Sequence, residues 1–260
     1  MCELLGMSAN VPTDICFSFA GLIRRGGATG PHKDGWGITF YEGKGCRTFL
    51  EPKAGAYSEI ARLVQEYPIK SGIVIAHIRR ANCGAVSLEN THPFTREIWG
   101  ENWTFAHNGY LRGVKKKKLK FYRPVGTTDS EYAFCWILDS IRRRFTRKPS
   151  GKILVSLIKN LLNDLNEMGI CNVLLSDGTR LYAYCSTKLC WITRQAPFGR
   201  ASLVDKDWQV DFQKETSSKD IVTVIATRPL TANEQWNFIS PGELKVFLKG
   251  KFLLYKRRQV

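Results

Sequence analysis

Acidic residues are in short supply. Against 39 Lys and Arg the chain carries 23 Asp and Glu, which leaves a formal net charge of +16 over 260 residues. There are four histidines, and although His77, His92 and His107 fall in one stretch, no H-E-x-x-H or comparable short spacing joins them into a metal site. No metal and no cofactor are expected. The eight cysteines, at positions 2, 16, 46, 83, 135, 171, 185 and 190, include no C-x-x-C pair. That excludes a dithiol redox motif and a zinc ribbon, and points to small buried thiols in a reducing compartment. No apolar run spans a bilayer, and the N-terminus lacks the basic start, apolar stretch and cleavage site of a signal peptide. The expectation is a cytoplasmic protein with no membrane partner. Neither G-x-x-x-x-G-K-[ST] nor a helix-opening G-x-G-x-x-G is present, so no phosphate loop is expected.

The positive charge gathers in three places: Lys115 to Lys118 with Lys120, Arg142 to Arg144 with Arg147 and Lys148, and Lys256 to Arg258. No helix-turn-helix, RNA-recognition or zinc-finger pattern accompanies them. Three solvated surface segments are expected rather than a nucleic-acid interface, with an acidic partner or substrate left open.

Hydrophobic residues make up 43% and aromatics 12%, enough for a substantial core. Ile73–Ile78 reads as a buried strand, and Trp103–His107 as a strand closed by a turn at Asn108-Gly109. Further strands are expected at 38–41, 173–176, 181–184, 221–226, 245–248 and 252–255. Ser58–Tyr67 predicts a helix facing the core with Ile60, Leu63, Val64 and Tyr67. Tyr132–Phe145 and Ile153–Met168 predict two longer ones, with Thr128 and Glu131 as a capping box. The mixture lacks strict strand–helix alternation. That favours an α+β fold of antiparallel sheets covered by helices, as one domain over residues 2–260.

Cys2 follows the initiator methionine. Removal of Met1 would leave a residue with both a thiol and a free α-amine. Their ordinary pKa values, about 8.5 and about 7.7–8.0, let the amine act as base toward its own thiol. Three further segments follow in order: Ile78-Arg79-Arg80-Ala81-Asn82-Cys83-Gly84, Phe105-Ala106-His107-Asn108-Gly109 and Thr128-Asp129-Ser130-Glu131. With the glycine-rich segment Arg25-Gly26 to Asp34-Gly35-Trp36-Gly37, this ordered set resembles the class II glutamine amidotransferases, N-terminal-nucleophile (Ntn) hydrolases, and among them the stand-alone, YafJ-type members.

The resemblance implies a four-layer αββα sandwich, two antiparallel sheets between helical layers. It implies Cys2 as nucleophile, Asn108 and Gly109 as oxyanion donors, Arg79 for the carboxylate of glutamine and Asp129 for its ammonium. Asn82 stands where better-known members have threonine, and Arg80 where synthase-linked members have tryptophan. His92 and His107 match motif positions and are expected to be structural. No room is evident for a fused ammonia acceptor. The resemblance therefore permits the glutaminase subunit of a separate synthase, or a hydrolase of other γ-glutamyl amides. The non-enzymatic alternative is a basic binding protein on the same scaffold.

Overall fold

The structure is a computed structural model that describes residues 2–82 and 84–253. Cys83 and the basic cluster Lys256–Arg258 lie outside the described residues. In chain order the strands are β1 (Glu3–Thr13), β2 (Trp36–Glu42), β3 (Gly45–Glu51), β4 (Ser71–Ile78), β5 (Phe94–Ile98), β6 (Glu101–Leu111), β7 (Gly169–Ser176) and β8 (Leu181–Cys185). They continue with β9 (Cys190–Gln195), β10 (Arg200–Ser202), β11 (Gln209–Asp211), β12 (Ile221–Ala226), β13 (Asn237–Phe238), β14 (Glu243–Leu248) and β15 (Lys251–Phe252). The helices are α1 (Cys16–Arg24), α2 (Glu59–Glu66), α3 (Asp129–Arg144), α4 (Gly151–Asn166) and the single turn α5 (Phe212–Glu215).

Two antiparallel sheets carry the architecture. One has seven strands in the order β13-β9-β12-β1-β4-β2-β3, the other six in the order β15-β14-β8-β7-β6-β5. The period-2 alternation of each strand divides its apolar residues between two layers. In the seven-stranded sheet, Leu5, Met7, Val74, Ala76, Val224 and Ala226 pack outward against Phe19 and Leu22 of α1 and Ala61 and Val64 of α2. In the six-stranded sheet, Phe105, Val173, Leu175 and Tyr182 pack outward against Phe134 and Leu138 of α3 and Leu154 and Ile158 of α4. The alternate residues Leu4, Ile75, Ala106, Leu174, Leu181, Ala183 and Ile225 form the layer between the sheets. The result is the expected α+β arrangement of four layers, helix–sheet–sheet–helix. No described helix is long and apolar enough to cross a membrane.

Several sequence expectations are corrected. Asn108-Gly109 does not turn the chain: β6 runs through it to Leu111, paired Asn108 to Asn172 and Gly109 to Cys171 on β7. The long partner strand supplies hydrogen bonds that a local turn signal cannot anticipate. Helix α2 lies where expected but buries a different face. Ala61 and Val64 point inward, while Ile60, Leu63 and Tyr67 are 38%, 55% and 60% exposed. The capping box is half formed. Thr128 accepts from the Glu131 amide, but the Glu131 carboxylate turns to the N–H groups of Val125 and Gly126 and to Arg96. The last strand is described only at Lys251–Phe252, and Leu254 and Tyr255 lie outside the described residues.

Candidate active site

The antiparallel pairing of β1 with β4 sets Glu3 against Ile78. One step further it brings Cys2 beside the residues that follow Ile78. The half-buried Cys2 Sγ lies 3.3 Å from the Arg80 amide nitrogen, which donates to it, and 3.4 Å from the Arg80 carbonyl, to which the thiol donates. Burial pushes the thiol above its ordinary pKa, and the nearby Asp34 adds to this, while the Arg80 N–H and the Arg79 guanidinium pull the other way. The other described cysteines are also free thiols, and burial raises Cys16, Cys171 and Cys190 to about 12.

Parity decides which residues share the inter-sheet face with Cys2. Cys2 is two residues from Leu4, Arg79 is four from Ile75, and Asn108 is two from Ala106. By the alternation of a strand all three therefore turn toward the layer between the sheets, and Arg79 and Asn108 are nearly fully buried. The structure thus brings Cys2 and Arg79 together at the end of one sheet and sets Asn108 on the facing one. The Asn108 Oδ1 is buried without a hydrogen-bond partner among the described residues. Buried polar atoms are seldom left unpaired, so this one calls for an explanation.

Gly109 is required by contact rather than by a turn. A Cβ there would stand 1.8 Å from the Ile170 carbonyl oxygen and 2.8 Å from His107 Nε2. His107 itself faces α3. Its Nε2 is 3.0 Å from the Ile170 carbonyl, which can only accept, so Nε2 carries the proton and Nδ1 accepts from the Ser130 hydroxyl at 2.8 Å. Burial holds this imidazole below its ordinary pKa. The His77 and His92 rings lie 4.3 Å apart between centroids, tilted by 33°. Burial drives His77 down to about 3 and His92 well below the usual range. All three imidazoles are buried and neutral.

Asp129 opens α3. Its Oδ2 accepts from the Leu111 amide at 2.7 Å and its Oδ1 from the Ser130 amide at 2.9 Å, which ties the helix start to the end of β6. Even with the Ser130 hydroxyl also 3.4 Å from Oδ1, acceptor capacity is left on a carboxylate that has about four lone-pair sites. The Arg79 guanidinium donates to the Ala85 carbonyl at 2.9 Å and the Gly84 carbonyl at 3.3 Å. Asn82 is exposed on the same loop, and no hydrogen bond holds its side chain among the described residues. It is not drawn into the group as it stands.

Sequence reasoning missed several supporting residues. Asp34 accepts from the Ala81 amide at 2.7 Å and so anchors the loop beside Cys2. The glycine-rich segment that carries Asp34 was the signal for it. Asn90 bonds to the Ala85 carbonyl, the Ser87 hydroxyl and both the amide and the hydroxyl of Thr127. Asn172 donates to the Asn108 carbonyl at 3.1 Å and collects the amides of Ser186, Thr187 and Lys188 on its Oδ1. Glu3, next to the cysteine, is buried in ion pairs with Arg25 and Arg228. No sequence pattern announces Asn90, Asn172 or the Glu3 cluster, because their partners lie far along the chain.

The chain has counterparts among known proteins. YafJ of Escherichia coli (strain K12) is 62% identical over 252 residues, which cover 96% of this chain and 99% of YafJ. The 2.0 Å crystal structure of a predicted glutamine amidotransferase from Pseudomonas aeruginosa PA01 superposes with a TM-score of 0.77 at 48% identity, covering 97% of this chain and 100% of that one. Glutamine phosphoribosylpyrophosphate amidotransferase from B. subtilis shares the fold at 16% identity, with a TM-score of 0.61, but this chain covers only 48% of it. Residues 1–260 match the family of glutamine amidotransferases class-II, so the four-layer sandwich is an Ntn-hydrolase fold and the chain belongs to the class II glutamine amidotransferases.

Proposed function

We propose that the chain, acting as one unit over residues 2–260, hydrolyses the side-chain amide of glutamine or of a γ-glutamyl compound through a thioester on Cys2. The observation that carries this reading is the meeting of Cys2 with Arg79 and Arg80 at the end of β1 and β4, opposite the buried side chain of Asn108 on the facing sheet.

With Met1 removed, the α-amine of Cys2 takes the thiol proton as sulfur attacks the amide carbon. The C=O electron pair moves to oxygen, and the oxyanion is received by the Asn108 side-chain amide and the Gly109 N–H. The amine returns its proton to the departing nitrogen, and ammonia or an amine leaves. Water then attacks the γ-glutamyl thioester, gives its proton to the same base, and releases glutamate and the thiol. Because burial holds the Cys2 thiol above its ordinary value, a free thiolate is scarce at neutral pH, and a neighbouring base has work to do. Arg79 receives the substrate α-carboxylate, and Asp129, with acceptor capacity unspent, receives the α-ammonium. We assign Asn82 a contact with the carboxylate that forms when the exposed loop closes. The free thiols fit a reducing, cytoplasmic setting.

The test is an intact mass spectrum before and after treatment with the glutamine-mimicking electrophile diazo-oxo-norleucine. The expected result is a chain lacking Met1, with one adduct on Cys2 that excess glutamine prevents. Retention of Met1, or labelling elsewhere, would overturn the reading. The rate should also rise with pH around an apparent pKa of about 7–8 as the amine deprotonates, and a profile flat from about pH 5 to 9 would remove the amine from its role.

A further inference from the structure

Two basic clusters that lie apart in the sequence are one surface in the fold. Residues 112–128 contain seven Lys and Arg and no Asp or Glu, and the end of α3 adds Arg142, Arg143 and Arg144. The Arg143 guanidinium donates to the Lys118 carbonyl at 3.0 Å, which joins the helix end to the loop. Lys120 and Arg142 both sit over the ring of Phe121, at 5.1 and 5.3 Å from its centroid.

The loop that carries the lysines is not a loose solvated run. The Asp139 carboxylate, 1% exposed, accepts the amides of Lys120, Phe121 and Tyr122 on one oxygen, at 3.0, 2.6 and 3.3 Å, and pairs with Arg143 through the other at 2.7 Å. Glu131 collects the amides of Val125 and Gly126, and Lys115 Nζ reaches the Thr127 carbonyl at 2.7 Å. Two buried carboxylates are therefore spent on fixing this loop. The cations left pointing outward, Lys116, Lys118 and Arg144, are exposed and make no ion pair among the described residues. A surface whose backbone is fixed before binding loses less entropy on association.

We propose that this surface docks the acidic face of a partner protein. Charge complementarity gives the sign of the partner. The aromatic rings decide its class. A single-stranded nucleic acid would stack bases on exposed rings. Here each ring is already engaged by a cation of the same surface: Phe121 by Lys120 and Arg142, Trp136 by Lys117 at 4.0 Å, and Tyr110 by Arg112 at 5.6 Å. The surface therefore presents charge more than stacking faces, which suits clustered carboxylates. The loop runs from the end of β6, just past Gly109, to Asp129, so the docked partner lies at the edge of the candidate active site.

The test measures binding directly and does not depend on catalysis. Fluorescein-labelled poly-glutamate of about 20 residues and single-stranded oligo-dT of about 20 nucleotides are titrated at two salt concentrations near 0.05 and about 0.2 M. The proteins are the full chain, its Cys2→Ala form, and two triple variants. The first is Lys116→Glu/Lys118→Glu/Arg144→Glu. The second, with the same change in net charge, is Lys70→Glu/Lys188→Glu/Lys214→Glu, all exposed residues elsewhere. Poly-glutamate should bind the full chain and the Cys2→Ala form alike. It should lose about tenfold or more in affinity with the first triple and less than about threefold with the second. Oligo-dT should lose equally with both. Equal loss of poly-glutamate in the two triples would make the charge diffuse and overturn the proposal. So would no binding by the full chain, or a loss of oligo-dT greater than that of poly-glutamate in the first triple. Failure of the chemistry leaves these binding results untouched.

Discussion

The loop over residues 79–90 and the loop over residues 112–127 border the same candidate site, yet the balance of groups that tie them down differs. In the first, side-chain donors reach out to carbonyls: Arg79 to Gly84 and Ala85, and Asn90 to Ala85. In the second, carboxylates collect backbone N–H groups: Asp139 three of them and Glu131 two. The first loop is thus held by the same guanidinium that we assign to the substrate carboxylate. The second is held by acids on α3 to which we assign no substrate contact. On that assignment a ligand that draws on Arg79 changes what secures the first loop and leaves the carboxylates of the second as they were. The lesson is that the two edges of one candidate site are secured by different means, one by a group assigned to the substrate and one by groups that are not.

The sharpest way to break this contrast is Arg79→Ala. It removes both the carboxylate partner and the tether, so kcat/KM should fall roughly 100- to 1000-fold. Amide exchange should rise over residues 84–90 and not over residues 120–126. Exchange rising in both loops would show that they are one unit. Next in size is Asp139→Ala. With three amides and Arg143 left without their carboxylate, unfolding free energy should drop by about 3 kcal/mol, or roughly 6–12 °C in Tm. A steady-state assay should show kcat/KM within about tenfold of the parent, and a larger loss would place the second loop in the chemistry.

Beneath the first loop lies the neutral His77–His92 pair, which gives a third, smaller test. An unfolded histidine binds a proton below about pH 6.5, whereas native His77 stays neutral down to about 3. The folded pKa is the lower one. Its contribution is therefore fully present above pH 6.5 and is lost as pH falls toward 3. From pH 7 to pH 5 the loss from His77 alone is on the order of 2 kcal/mol, readable by urea unfolding at the two pH values. His77→Phe keeps an aromatic ring on His92 and removes the titrating group. It should remove most of that acid sensitivity. The smallest effect is expected for Asn90→Ala, which cuts the link from the first loop to Thr127. A loss of about 1 kcal/mol should appear mainly as a severalfold higher KM, with kcat little changed.

What could be read from the chain was local. The apolar run Ile73–Ile78, the period of α4 and the Thr128 cap depend on neighbours a few residues away, and each appears in the fold where its residues place it. Asn108-Gly109 was misread as a turn because the force that keeps it extended is β7, some sixty residues later. The face of α2 was misread because periodicity shows which residues are apolar, not which of two apolar stripes meets a neighbour. Cys2 and Arg79 could be paired from sequence only by likeness. Their proximity comes from the β1–β4 register, which no local pattern encodes. Nothing in the sequence marks Asp139, since its three amide partners become visible only when the loop is folded back.

Strand β1 lies in the middle of the seven-stranded sheet, hydrogen-bonded to β12 on one side and β4 on the other. Chain ends are ordinarily the first places to fray. Here the terminus is woven between two neighbours, and freeing it means parting the sheet at its centre. The amides of Leu4 and Leu5 accordingly belong with the slowest to exchange, opening only when the whole molecule opens. The anchoring of the strand that leads to Cys2 and the folded state should then share a single melting point. On warming, the end of β1 should hold its place until the sheet parts, so a probe placed there doubles as a thermometer of global unfolding.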